Sequence, residues 1–275
     1  QLAGEEDAKT GQVLAVDTAS GERIVLYENL NKPTGVAWLD GFVWIMEKRR
    51  LVRGEWLGTG TAPGPLTVMV DGLPFNGRSE GTLTVTPDNL ILYETSGSIS
   101  NGVVDDGSGT LWVFDPESLT SSKVATGLKN AYAHAFLEDG RLLTTEIGDN
   151  IADAPVEEVN ILPYSGPSGP PVDAGWPSCA GDSDCDGVVV PIAIFDRNTT
   201  PTGITADGAF VYVALLVTGE IHRFEVTSDE FERAPTTAIA SGFEGPHTIL
   251  LRPNGALWIS EHFAGRIVAI TIDQP

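Results

Sequence analysis

The chain has 275 residues and a formal charge of −22, from 38 acidic against 16 basic residues. That sign argues against nucleic acid and anionic membranes as partners, because phosphate binding needs the opposite charge. No apolar run approaches the roughly 18 residues needed to cross a bilayer, so membrane insertion is not expected either. Gly and Pro are frequent, at 31 and 18, without any collagen-like period, which suits many short strands joined by turns.

Residues 1–10 read as a charged lead-in, and a chain starting at Gln is expected to have been processed. Two strand-like runs follow, Val13–Asp17 and Arg23–Tyr27, around a Thr-Ala-Ser-Gly turn. Then a unit recurs: strand, tight turn, strand. Its copies are KPTGVAWLDGFVWIMEKRRLVR (32–53), EGTLTVTPDNLILYETSGS (80–98), ATGLKNAYAHAFLEDGRLLTTEIGDN (125–150), TPTGITADGAFVYVALLVTGEIHRF (200–224) and GPHTILLRPNGALWISEHFAGRIVAI (245–270). With Gly35, Gly81, Ala133, Gly203 and Thr248 aligned, the spacings are 46, 52, 70 and 45. Blades of β-propellers repeat every 40–50 residues or so. The long interval carries an insert at about 161–187. Further strands at Leu66–Val70, Leu111–Phe114, Val188–Phe195 and Thr236–Ala240 fill out four strands per repeat. The expectation is an all-β chain: a lead-in, then one β-propeller domain (11–275) of four-stranded antiparallel blades. Five blades carry the motif, a sixth stays open, and the N-terminal strand closes the ring.

Four copies end their second strand on a carboxylate: Glu47, Glu94, Glu146 and Glu261. Most are expected to bond turn amides or a neighbouring Arg. The alternative is that like charges brought together recruit a cation. Of the four histidines, His134 and His247 fall near inner-strand starts and His262 follows Glu261; these are candidate ligands or bases. His222 lies in an outer run. Asp182, Asp184 and Asp186 before Gly187 spell the first half of a calcium loop, but Ala193 stands where the closing acid belongs. Cys179 and Cys185 are expected to pair, which points to a secreted or periplasmic protein.

The chain resembles the soluble glucose/sorbosone dehydrogenases, β-propellers that oxidise aldose sugars with pyrroloquinoline quinone (PQQ) and calcium. The resemblance rests on the 125–150 stretch, Glu157-Glu158-Val-Asn160 and Gly175-Trp176-Pro177. It implies a small sugar or glycan as substrate, with Lys129, Asn130, Gly148, Asp149 and Trp176 at the cofactor. It also implies calcium at Gly148 and Asp149 and at Glu158 with the Ala174 carbonyl. The family's catalytic His lies in a His-Asn-Gly-Gly run that is Phe75-Asn-Gly-Arg-Ser-Glu-Gly81 here, so His247, Lys129, Glu80 or His134 would take over the acid–base work. Lys129 replaces an Arg and loses its planar fork. Two other readings stand beside this one: a non-catalytic propeller binding glycan or protein, and a metal-dependent hydrolase or lyase using Glu146, His247 and Glu261.

Overall fold

A computed structural model of the chain describes residues 9–75, 81–148, 157–179, 185–226 and 233–272. They fall into two compact units, 1–122 and 123–275. The described residues are almost wholly β, with one 3-10 turn at Gly166–Ser168.

In the first unit, strands β1 (Gly11–Val16) and β2 (Arg23–Leu30) pair with each other across a turn in which the Asp17 carboxylate accepts the Ala19 and Ser20 amides. The first blade is β3 (Gly35–Leu39), β4 (Phe42–Glu47), β5 (Arg50–Glu55) and β6 (Thr67–Val70), antiparallel in sequence order. The second blade begins with β7 (Thr84–Val85), β8 (Ile91–Thr95) and β11 (Thr110–Asp115), with a small ladder of β9 (Ile99–Ser100) and β10 (Val103–Val104) between.

Its outer strand, β12 (Thr120–Thr126), carries the boundary between the units. In the second unit β13 (His134–Phe136), β14 (Leu142–Glu146), β15 (Glu157–Leu162) and β17 (Ala193–Phe195) form the third blade, while β16 (Val172–Asp173) runs parallel to the end of β12. The fourth blade is β18 (Pro201–Asp207), β19 (Phe210–Leu215), β20 (Glu220–Glu225) and β21 (Thr237–Ser241). The fifth has three strands: β22 (Pro246–Leu251), β23 (Ala256–Glu261) and β24 (Arg266–Thr271).

The second strand of a blade is buried on both faces, and each face enters a different core. In β4, Trp44 and Met46 pack with Leu83, Ile91, Tyr93 and Phe114, while Val43 and Ile45 pack with Leu26, Tyr27 and Leu30. In β19, Val211, Val213 and Leu215 join the third blade's Leu143, Val159 and Ile161; Tyr212 and Ala214 join the fifth blade's Ile249, Leu257 and Ile259. Sheets stacked on both faces in this way are the blade packing of a propeller.

The repeat's glycines mark where inner strands come closest. A Cβ on Gly35 would lie 2.6 Å from the Leu83 amide nitrogen, and one on Gly203 would lie 2.7 Å from the His247 carbonyl oxygen. No side chain fits there, which is why copies one and four both need glycine.

Among the described residues β1 ladders with β2, because a short turn makes that local pairing available. The insert is not a plain loop: Ile161 and Leu162 belong to β15, and β16 adds a parallel strand. Of Val188–Phe195, only the last three residues are strand.

Candidate functional site

The strand-end glutamates are all buried, and two of them are held by one arrangement. Glu47 Oε1 accepts the amide of Asn31 at 2.7 Å, and its Oε2 accepts Arg50 Nε at 2.6 Å. Glu261 Oε1 accepts the Glu244 amide at 2.7 Å, and Arg266 Nε donates to its Oε2. The Arg266 guanidinium, helped by that amide, holds the Glu261 carboxyl below its ordinary range. Glu146 repeats the first half only. Its Oε1 accepts the amides of Lys129 and of Asn130, the latter at 3.1 Å. Its Oε2 is buried and has no hydrogen-bond partner.

Where an arginine stands in the first and fifth blades, Glu146 instead faces a second acid. Glu146 and Glu158 are directly opposite on β14 and β15, and both are buried. Like charges placed so are unfavourable unless one is neutralised. Burial, with Glu158 beside it, pushes the Glu146 carboxyl up to about 8. Glu94, the remaining member, accepts Ser96 Oγ at 3.0 Å.

The two acids line a small cavity with Gly127, Leu128, Lys129, Gly148, Asn160, Ala174, Trp176 and Cys179. Its enclosed interior has room for about one water-sized group. Trp176 forms one wall, and the Lys129 ammonium sits 5.2 Å from the centre of its ring. Cys179 is bridged to Cys185, so its sulfur offers no thiolate and the available donors are oxygens. Behind the cavity Glu157 holds two loops: it accepts the Gly148 amide at 3.0 Å and the Asn198 amide at 3.2 Å. Burial raises its carboxyl above the ordinary value.

The fold thus gathers Lys129, Gly148, Glu158, Ala174 and Trp176 into one place, and adds Glu146 and Asn160. Asn130 lies alongside through its amide, with its own Oδ1 buried and without a partner. Asp149, Asp182, Asp184 and Glu80 lie outside the described residues. Asp186 is exposed beside the disulfide. Among the described residues no three His, Cys, Asp or Glu side chains converge as a metal cluster, so an ion in the cavity would rest on two carboxylates and on amide or carbonyl oxygens.

The histidines occupy a second locus. His247 Nε2 lies 2.9 Å from the Tyr132 hydroxyl, edge-on to its ring, and Nδ1 lies 3.2 Å from Thr248 Oγ1. His262 stacks at 5.8 Å between ring centres. Burial, and next the nearby His262, push the His247 imidazole down to about 4, so it is neutral at pH 7. His134 is buried and also lowered to about 4, by desolvation; it is a core residue, not a solvent-reachable base. His222 bonds Glu220 on the outer strand β20.

Sequence reasoning missed Tyr132, which no local pattern connects to a residue 115 positions away. It also missed the holding role of Glu157. The missing arginine was readable, because Glu47 is followed by Arg50 and Glu261 by Arg266, while Ile-Gly-Asp-Asn follows Glu146.

No family model and no curated protein sequence matches the chain. Solved structures do. The PQQ-bound aldose sugar dehydrogenase of Streptomyces coelicolor is 18% identical with a TM-score of 0.79, covering 94% of this chain and 87% of its own. A glucose dehydrogenase-type oxidoreductase of Thermus thermophilus is 19% identical at 0.79, covering 97% and 89%. A Carbohydrate-Active Enzymes Family AA12 protein of Trichoderma reesei, in its calcium structure, is 15% identical at 0.76, covering 96% and 88%. At these identities the likeness is one of fold: this chain is a β-propeller of the architecture found in PQQ-dependent sugar dehydrogenases.

Proposed function

We propose that this chain is a calcium-binding propeller that acts on a small sugar as quinone-dependent aldose dehydrogenases do. The observation that carries the reading is the second oxygen of Glu146: buried, without a partner and facing Glu158, where the equivalent glutamates of two other blades have an arginine.

A hard divalent cation fits this place. Calcium takes oxygen ligands, and Glu146 and Glu158 supply two carboxylates, with Asn160 and the backbone at Gly148 and Ala174 around the same cavity. Lys129, held over Trp176, is the cation suited to a cofactor carboxylate. When bound, the quinone supplies the hydride acceptor. The chain's own contribution to proton transfer is the neutral imidazole of His247, whose Nε2 shares a proton with the Tyr132 hydroxyl. The Cys179–Cys185 disulfide fits a secreted or periplasmic location. Among the described residues no helix is long and apolar enough to cross a membrane.

The test mixes apoprotein, calcium and PQQ, and follows the quinone absorption band. A band that shifts on binding and bleaches with aldose sugars supports the dehydrogenase. Calcium uptake without quinone binding favours the second reading, a propeller that binds glycan or protein without turnover. That reading draws support from Lys129 standing where the resemblance calls for an arginine.

A further inference from the structure

The chain's two cysteines form one bridge, and one end of it stands in the cation cavity. Cys179 and Cys185 are six positions apart in the second unit. Cys179 lines the cavity with Ala174 and Trp176 of its own segment, together with Glu146 and Glu158. In the chain-entropy account a disulfide stabilises a fold more as the loop it closes lengthens, and this loop is short. Its effect is therefore mainly local, on the segment that carries the cavity wall.

Backbone bonds fix the first part of that segment. The Ala174 amide donates to the Thr126 carbonyl at 2.9 Å and the Trp176 amide to the Gly127 carbonyl at 2.7 Å, where β12 ends. The turn that follows closes on itself: the Ser178 and Cys179 amides both donate to the Gly175 carbonyl, at 3.0 and 2.9 Å. Gly175 lies between the two wall residues with φ of 93°. A Cβ there would lie 2.7 Å from Cys179 Cβ and 3.4 Å from Val188 Cγ1. Cys179 thus packs directly on the backbone between Ala174 and Trp176, and the returning chain packs there too, through Val188. The bridge joins these two passes of chain covalently.

Calcium affinity depends on how rigidly the oxygens are held as well as on their number and charge. Donors already in place bind without the cost of ordering them, whereas donors on a loosened wall must be ordered as the ion binds. Coupling of this kind is reciprocal, so a bridge that strengthens ion binding is itself stabilised by the ion.

Resting on the calcium reading above, we propose that the Cys179–Cys185 disulfide is a redox latch on the cation cavity. Closed, it holds Cys179 on Gly175 and keeps the Ala174–Trp176 wall in place. Opened, it lets the wall move and weakens cation binding. Opening is a two-electron reduction by a dithiol: the S–S bond breaks, Cys179 and Cys185 each gain a hydrogen as thiols, and the dithiol closes its own disulfide. A chain in a reducing compartment would then hold calcium weakly, and would gain its full affinity in an oxidising one.

Calorimetry reads the calcium Kd of the whole, chelator-treated chain in three forms: oxidised, reduced with dithiothreitol, and Cys179→Ala/Cys185→Ala. The two open forms should bind at least tenfold more weakly than the oxidised chain, and dithiothreitol should not change the Kd of the alanine variant. Melting in chelator checks that each form is folded at the temperature used. The converse measurement keeps both cysteines. Saturating calcium should shift the equilibrium of the bridge with dithiothreitol toward the disulfide by the same factor, and Glu158→Gln should remove that shift. Equal Kd values in the open and closed forms would overturn the latch and leave the calcium reading standing. Calcium protection of the bridge that persists in Glu158→Gln would place the protecting ion elsewhere and overturn the latch as well. An oxidised chain that takes up no calcium would remove both the latch and the calcium reading.

Discussion

Glu146 and Glu158 face each other on adjacent strands of the third blade and line one cavity, and one oxygen of Glu146 is buried without a hydrogen-bond partner. In blades one and five the corresponding oxygen receives an arginine Nε. One repeat unit therefore exists in two versions, one closed by an arginine and one in which that oxygen has no hydrogen-bond partner. The first prediction concerns this difference. Calcium should raise the melting temperature of the chelator-treated chain. At free calcium 100-fold above Kd the gain is about 2.7 kcal/mol, several degrees in a chain of this size. Glu146→Gln keeps an oxygen for the Lys129 and Asn130 amides but removes the charge, and should abolish most of that gain, as should Glu158→Gln. Glu47→Gln should keep it. Equal calcium shifts in all four proteins would remove the site.

A second prediction follows from the buried histidines. His134 sits at about 4 against an ordinary value of 6.5, because desolvation disfavours its charged form. With the folded value lowered, the unfolded chain takes up the proton first. Stability tied to this group is complete above about pH 6.5 and falls as pH drops from 6.5 toward 4, by at most about 3 kcal/mol. His247 acts in the same direction. Glu146 and Glu157, whose values are raised, act oppositely in the acid range, so the useful readout is a difference. Denaturant unfolding of the unaltered chain and of His134→Leu at pH 7.5, 6 and 5 should give curves that converge as pH falls. Parallel curves would show that His134 does not stay neutral in the folded chain.

Much of this was visible in the residues. The alternation in WLDGFVW and LEDGRLL, the 45-to-52-residue spacing of three of the four intervals and the acid at four of the five second-strand ends require only local periodicity, which a sequence displays directly. The resemblance assigned Gly148 and Trp176 to the cofactor and Glu158 with Ala174 to a calcium; that all four line one cavity is visible only in the structure. Three things were hidden for a common reason: they depend on pairings set by tertiary packing. Tyr132, just before β13, meets His247 of β22 only through the tertiary packing of the second unit. Val188–Ile192 has a strand's composition, yet the ladder to β15 starts at Ala193. The pairing of β16 with β12 is a two-residue parallel ladder without periodicity of its own.

A third prediction tests the acid–base locus. Among the described residues the ring of His247 contacts Tyr132 and His262, with Thr248 on its other nitrogen. If turnover is found, Tyr132→Phe should lower kcat tenfold or more with little change in KM, because the hydroxyl that orients Nε2 is lost while the ring remains. It should also move the acid limb of the pH–rate profile upward, since a less enclosed imidazole holds its proton at higher pH. His262→Gln should move the same limb less, being an exposed neighbour. An unchanged profile in Tyr132→Phe would assign the proton to another group.

The last prediction concerns the frame that places His247. Gly203 packs against the backbone of β22, where an added Cβ would lie 2.7 Å from the His247 carbonyl oxygen and 3.1 Å from the Ile249 amide nitrogen. Neither neighbour is a flexible side-chain end, so relief requires β18 or β22 to shift. Gly203→Ala should therefore cost on the order of 1–3 kcal/mol through overpacking, lowering the melting temperature by roughly 3–10 °C. Because β22 carries His247, the same shift should disturb the 2.9 Å contact with Tyr132, and the His247 imidazole should rise from about 4 toward its ordinary value. Gly208→Ala serves as the control: Gly208 also lies in the fourth blade, but no atom stands within 4 Å of its added Cβ, and its φ of +57° costs only local turn strain. Nuclear magnetic resonance of the ring protons across pH 4 to 7 reads the titration directly. A Gly203→Ala protein with unaltered melting and an unaltered His247 titration would mean that the inner strands yield without disturbing the locus.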